Sequence, residues 1–110
     1  MFILNICNNQ TIKNIHAAAI INSEIAASNA YYAYMYAKYV LTNPFPLGEL
    51  TISKSDTYSY WYAFDVLKGP FPLGESVIAN DIFYSKEYTK DVLKRDFYLN
   101  DILICKYVEE

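Results

Sequence analysis

The strongest constraint on this chain is that it repeats itself. Pro44-Phe45-Pro46-Leu47-Gly48-Glu49 returns letter for letter as Pro70-Phe71-Pro72-Leu73-Gly74-Glu75, an offset of 70 − 44 = 26 residues. Carried along the chain without a gap, the same offset aligns Tyr32, Tyr58 and Tyr84, then Tyr36, Tyr62 and Tyr88, then Val40-Leu41, Val66-Leu67 and Val92-Leu93. Phe97, Leu99 and Asp101 fall under Phe71, Leu73 and Glu75, and Ile52, Ile78 and Ile104 also coincide. A fixed period of this length marks a supersecondary unit that is stacked on copies of itself. One unit cannot bury its own apolar face, whereas three stacked units can.

Each unit reads as a long helix, a proline-bearing turn and a short helix. Asn29, Ser55 and Asp81 stand where the long helices begin, and each offers a side-chain oxygen to the free N–H groups of a first turn. The long helices are expected to reach about Thr42, Lys68 and Lys94. Asn43 and Gly69 are expected to take the left-handed conformation that ends a helix, with proline directly after each. Pro46 and Pro72 suit the first position of the short helices, which should cover residues 46–53 and 72–79. In the third unit Arg95-Asp96 replaces Gly-Pro, so a different turn is expected there.

Tyr58, Tyr62, Ala63, Val66 and Leu67 form one stripe at helical spacing, repeated in the other units, and this stripe is the expected core. Small residues beside it, Ala33 and Ala37, Ser59 and Ala63, Ser85 and Thr89, allow close helix approach. Phe45, Phe71, Leu47 and Leu73 are expected to plug the gaps between units. The fold class that follows is mainly all-α, a short α-solenoid of helix-turn-helix repeats. Its single domain comprises an N-terminal cap (1–28), three repeats (29–54, 55–80, 81–106) and a tail (107–110). Residues 15–27 look helical, and residues 1–12 fit a strand, a hairpin or an extended cap.

Composition narrows the function. Charged residues make up 19% of the chain and the net charge is −3, with no clustered basic face, which disfavours nucleic acid as a partner. The longest apolar stretch, 15–41, is broken by Asn22, Ser23, Glu24, Ser28, Asn29 and Lys38, so no membrane span is expected. Met1 to Asn5 lacks the basic region of a signal peptide. Cys7 and Cys105 form no CxxC pair and read as free thiols of a cytoplasmic protein. His16 is the only histidine, and no grouped His, Cys or carboxylate set is present. Gly48, Gly69 and Gly74 are turn and repeat residues and build no phosphate loop. No catalytic residue, metal or cofactor is therefore assigned, and the chain is not read as an enzyme. Asp65 and Asp91 are repeat-related and are expected to pair with lysines.

The informative contrast lies on the outer face of the long helices. In the third unit that face carries Phe83, Lys86, Glu87 and Lys90, a solvated set. In the first two it carries Tyr31, Tyr34, Met35 and Lys38, then Thr57, Tyr60, Trp61 and Phe64. If the third unit sets the pattern, Tyr31, Tyr34, Met35, Tyr60, Trp61 and Phe64 make a partner-binding patch, since exposed aromatic clusters anchor interfaces. The alternatives are that the N-terminal cap covers these residues, or that a symmetric homodimer does.

The string from Tyr62 to Glu75 resembles a short helical repeat, roughly YAxDVLKGxFPxGE, of proteins from phages and large DNA viruses. The likeness covers about Asn29 to Ile104. The first unit departs from it with Tyr39 for the aspartate and Thr42-Asn43 for Lys-Gly, the third with Arg95-Asp96 and Tyr98. The resemblance implies a phage or viral origin and a host-cell cytoplasmic location. By fold-level analogy it implies a non-enzymatic inhibitor of a host protein or complex, such as an anti-CRISPR. Two other readings stand beside it: sequestration of a nucleotide-like signalling molecule by aromatic rings with Lys38, Lys54 or Lys68, and a structural or homo-oligomeric array.

Overall fold

A computed structural model describes residues 23–109. The expected N-terminal cap, with Cys7 and His16, lies outside the described residues except for a single turn, α1 (Ser23–Ala26). The rest is mainly helical. The first unit holds α2 (Ala30–Met35), which continues as a π-helical turn π1 (Tyr36–Leu41), and then α3 (Pro46–Ile52). In the second, α4 (Asp56–Trp61) runs into π2 (Tyr62–Leu67), and a 3₁₀ turn (Pro72–Gly74) leads into α5 (Glu75–Ala79). The third begins in the same way with α6 (Ile82–Glu87) and π3 (Tyr88–Leu93).

The caps are those expected. Asn29 accepts from the amides of Tyr31 and Tyr32, Ser55 from Tyr58, and Asp81 from Tyr84, each from an extended backbone. The helix ends differ from expectation. The left-handed residues are Thr42, Lys68 and Lys94, at φ 51°, 54° and 54°, and not Asn43 or Gly69. The cause is the widened last turn. The Thr42, Lys68 and Lys94 amides bond five residues back, to Ala37, Ala63 and Thr89. Asn43 and Gly69 then bond six back, at 3.3 and 3.2 Å. The reversal is complete one residue before the glycine, which therefore needs no special φ. A π turn in the same place in all three units belongs to the repeat's geometry and is no local accident.

The third unit departs where Gly-Pro is lost. In place of a short helix it forms a hairpin, with β1 (Phe97–Leu99) antiparallel to β2 (Ile102–Cys105). Asn100 and Asp101 supply the two consecutive positive φ values, 53° and 66°, that a tight two-residue hairpin turn requires. The unit expected to cover 81–106 is thus helical only in its first half.

The core runs along the array. Tyr62, Tyr88, Ile52, Ile78 and Phe97 are essentially fully buried, with Phe45 and Phe71 beside them. Tyr32, Tyr58, Tyr84 and the Val-Leu pairs pack against it half-buried. Leu47 and Leu73 do not plug the gaps, being 56% and 55% exposed. Each is the second residue of its short helix or turn, and it is the next residue, Gly48 or Gly74, that faces inward. A Cβ on Gly48 would stand 2.8 Å from the Ala33 Cβ, and one on Gly74 would stand 2.6 Å from the Ser59 Cβ. The short segment therefore lies directly on the long helix, and its leucine turns to solvent.

Candidate binding surface

Two unit–unit junctions frame the surface, and each is stitched by two tyrosine hydroxyls. At the first, the Tyr62 hydroxyl accepts from the Phe45 amide at 2.8 Å and donates to Glu49 Oε2 at 2.6 Å. At the second, Tyr88 does the same with Phe71 at 2.9 Å and Glu75 at 2.6 Å. This explains the repeated Phe-Pro-Leu-Gly-Glu string: its phenylalanine supplies a ring and an amide, and its glutamate holds the incoming phenol. Each buried tyrosine also meets the phenylalanine of its own unit edge-on, with centroids 5.0 Å apart for Tyr62–Phe71 and 5.2 Å for Tyr88–Phe97.

The second stitch uses residues expected on the outer face. The Tyr34 hydroxyl donates to Asp65, and the Tyr60 hydroxyl donates to Asp91 Oδ2 at 2.9 Å. Tyr34 and Tyr60 are consequently 7% and 3% exposed, which corrects the expectation that they line an open patch. The third unit was the wrong guide. Its counterpart, Lys86, precedes a hairpin and not another long helix, so no aspartate is offered to a tyrosine there. Burial first, and then the bond to the aspartate, raises the pKa of both phenols above the usual 10.0. They remain protonated donors at ordinary pH and cannot serve as bases.

Tyr31 and Met35 are also partly withdrawn. Tyr31 is half-buried against Tyr32 and Tyr58, at 5.8 and 5.7 Å, and Met35 packs on the core. Of the six residues expected on the patch, Trp61 and Phe64 are the ones left open, at 37% and 41% exposure. They rest on Tyr60: Phe64 stacks on it at 5.9 Å and 9°, and Trp61 meets it edge-on at 5.1 Å. The result is a small, rigid aromatic shelf on a buried ring.

Beside each stitched aspartate the widened helix ends leave a shallow groove, and the two grooves are repeat-equivalent. The first, of about 220 Å³, is lined by Ala37, Lys38, Asp65 and Val66. The second, of about 250 Å³, has Ala63, Phe64, Asp91 and Val92 at the same positions. Lys68 borders both. In the first, Lys38 pairs with Asp65 at 3.3 Å. Asp91 forms no ion pair among the described residues. The interunit role of the aspartates could be read only from a relation between units, because tyrosine and aspartate are 31 residues apart in both cases, one repeat plus five.

Among the described residues no group of three His, Cys, Asp or Glu is placed to hold a metal ion, and no helix is long and apolar enough to cross a membrane. Cys105 is a free, half-buried thiol. The chain matches no protein-family model, no curated protein and no solved structure.

Proposed function

We propose that this protein acts by binding another protein, with Trp61 and Phe64 as the anchoring residues. The observation that carries the reading is that these two rings are exposed while the tyrosines around them are buried and bonded. A ring pair fixed on a buried base loses little conformational freedom when a partner covers it, which is what an interface anchor requires. The groove beside Phe64 is mixed in charge, with Lys68, Lys94 and Asp91 in its lining. The phage-like repeat favours a host protein as the target, and a component of a bacterial defence system, inhibited in the manner of an anti-CRISPR, is the specific form of the proposal. Nucleotide sequestration finds less support, because the groove that offers Phe64 beside Lys68 and Lys94 also presents the Asp91 carboxylate, which repels phosphate.

The test is capture of a stoichiometric partner from bacterial lysate by the native protein and by a Trp61→Lys, Phe64→Lys double variant, with circular dichroism to confirm the fold. Loss of the partner with the fold intact supports the reading; equal capture by both overturns it. For the anti-defence form, expression in a host with an active CRISPR system should restore phage plaquing, and the double variant should not.

A further inference from the structure

Both grooves carry a carboxylate and are bordered by lysines, but among the described residues only Asp65 of the first is paired with one, Lys38. In the first, the Lys38 ammonium lies 3.3 Å from Asp65 Oδ2 and 3.4 Å from the Tyr34 hydroxyl. It also stands 5.8 Å from the centroid of the Tyr34 ring and 5.1 Å from that of Tyr39. A carboxylate, a phenol oxygen and two aromatic faces are together a complete environment for a primary ammonium group. In the second, Asp91 is held by Tyr60 in the same way, at 2.9 Å, and Phe64 occupies the place of Lys38. The amine is gone and an aromatic wall stands in its position. Lys68 and Lys94, exposed residues at the rim, make no ion pair with Asp91. The groove also opens at the ends of two helices, where the carbonyl dipoles favour positive charge.

We propose that the second groove binds a primary alkylammonium group from outside the chain, paired with the Asp91 carboxylate and packed along the Phe64 ring. Lys38 in the first groove is the built-in copy of that ligand. The same chemistry is offered by a lysine side chain of a partner protein and by a free alkylamine. The site stands on its own geometry, and its test uses the isolated protein with small probes, so its failure leaves the protein-binding reading untouched and the converse also holds.

The experiment is an NMR titration of the full chain with n-butylammonium chloride, and with n-butanol as the neutral control. A blocked lysine peptide and its norleucine analogue form the second arm. Saturable shifts at Phe64, Asp91 and Val92 are expected with the ammonium and the lysine peptide, and not with their neutral counterparts. Tighter binding of the lysine peptide assigns the site to a partner protein, and tighter binding of butylammonium assigns it to a free amine. Asp91→Asn, which keeps an acceptor for Tyr60, should weaken binding roughly tenfold, the size of one charge-assisted hydrogen bond. Phe64→Lys should abolish it by filling the groove from within. Lys38→Phe should create a second site at Asp65. The proposal is overturned by equal shifts with butanol, by undiminished binding in Asp91→Asn or Phe64→Lys, or by no saturable shift at all.

Discussion

The junction between the first and second units and the junction between the second and third are built on one frame. A buried tyrosine reaches back to a phenylalanine amide and a glutamate, and a second tyrosine reaches forward to an aspartate. They differ at the residue beside that aspartate, which is Lys38 in the first and Phe64 in the second. The first junction is electrically closed. The second keeps its carboxylate without an ion pair among the described residues and presents an exposed ring in place of the lysine. Parts of a repeat that recur are what hold the units together, and the part that varies is where a ligand or partner is sought.

The largest expected effect strikes both junctions at once. Tyr34 and Tyr62 serve the first, Tyr60 and Tyr88 the second. All four have pKa values raised above 10.0, by burial first and by the carboxylate partner second. The folded state therefore keeps protons that the unfolded chain releases. The stability this provides is complete below pH 10 and is lost as pH rises above it. Lys38, whose pKa is lowered by burial but raised on balance by Asp65 and Tyr39 together, shifts in the same sense. Thermal unfolding followed by circular dichroism should show a steep, single loss of stability above pH 10. Two separate alkaline transitions would mean that the junctions are not equivalent.

Next in size is deletion of single hydroxyls. Tyr62→Phe and Tyr88→Phe each leave a buried amide without its acceptor, at a cost of about 1–3 kcal/mol in denaturant unfolding. The two values should agree, since the frame is shared. Tyr58→Phe, which removes a hydroxyl with no bond at either junction, should cost much less. Gly48→Ala and Gly74→Ala should also agree with each other, at about 1–3 kcal/mol, because each forces a methyl group into the facing helix. Gly69→Ala, with open space and a negative φ, should change stability by less than about 1 kcal/mol, with a tendency to raise it. The smallest effect separates the junctions: Asp65→Asn breaks an ion pair and Asp91→Asn does not. The first should be the more destabilising by under about 1 kcal/mol, and this difference should shrink with added salt.

Much of this frame was legible in the sequence. The period, the caps at Asn29, Ser55 and Asp81, and the burial of Tyr36, Tyr62 and Tyr88 all follow from spacing and side-chain chemistry. The π turns were not legible, because a stripe at i, i+4, i+5, i+8 and i+9 is the same whether the last amides bond four or five residues back. That single extra residue moved the left-handed position from Gly69 to Lys68. The hairpin hid behind an alignment that continues through Phe97, Leu99 and Ile104, although Asn100-Asp101 carried the turn signal. Of the candidate surface, the exposure of Trp61 and Phe64 was legible. The burial of Tyr34 and Tyr60 against the next unit was not legible, since it depends on an aspartate one repeat and five residues further on.

The tyrosine hydroxyl is the stitch between units, and hydrogen exchange at two amides tests that role most directly. The Phe45 and Phe71 amides should both be strongly protected in the native protein. In Tyr62→Phe, the Phe45 amide should exchange far faster while the Phe71 amide keeps its protection. Exchange of both at the rate of exposed loop amides, or a Phe45 amide still protected in Tyr62→Phe, would contradict the account.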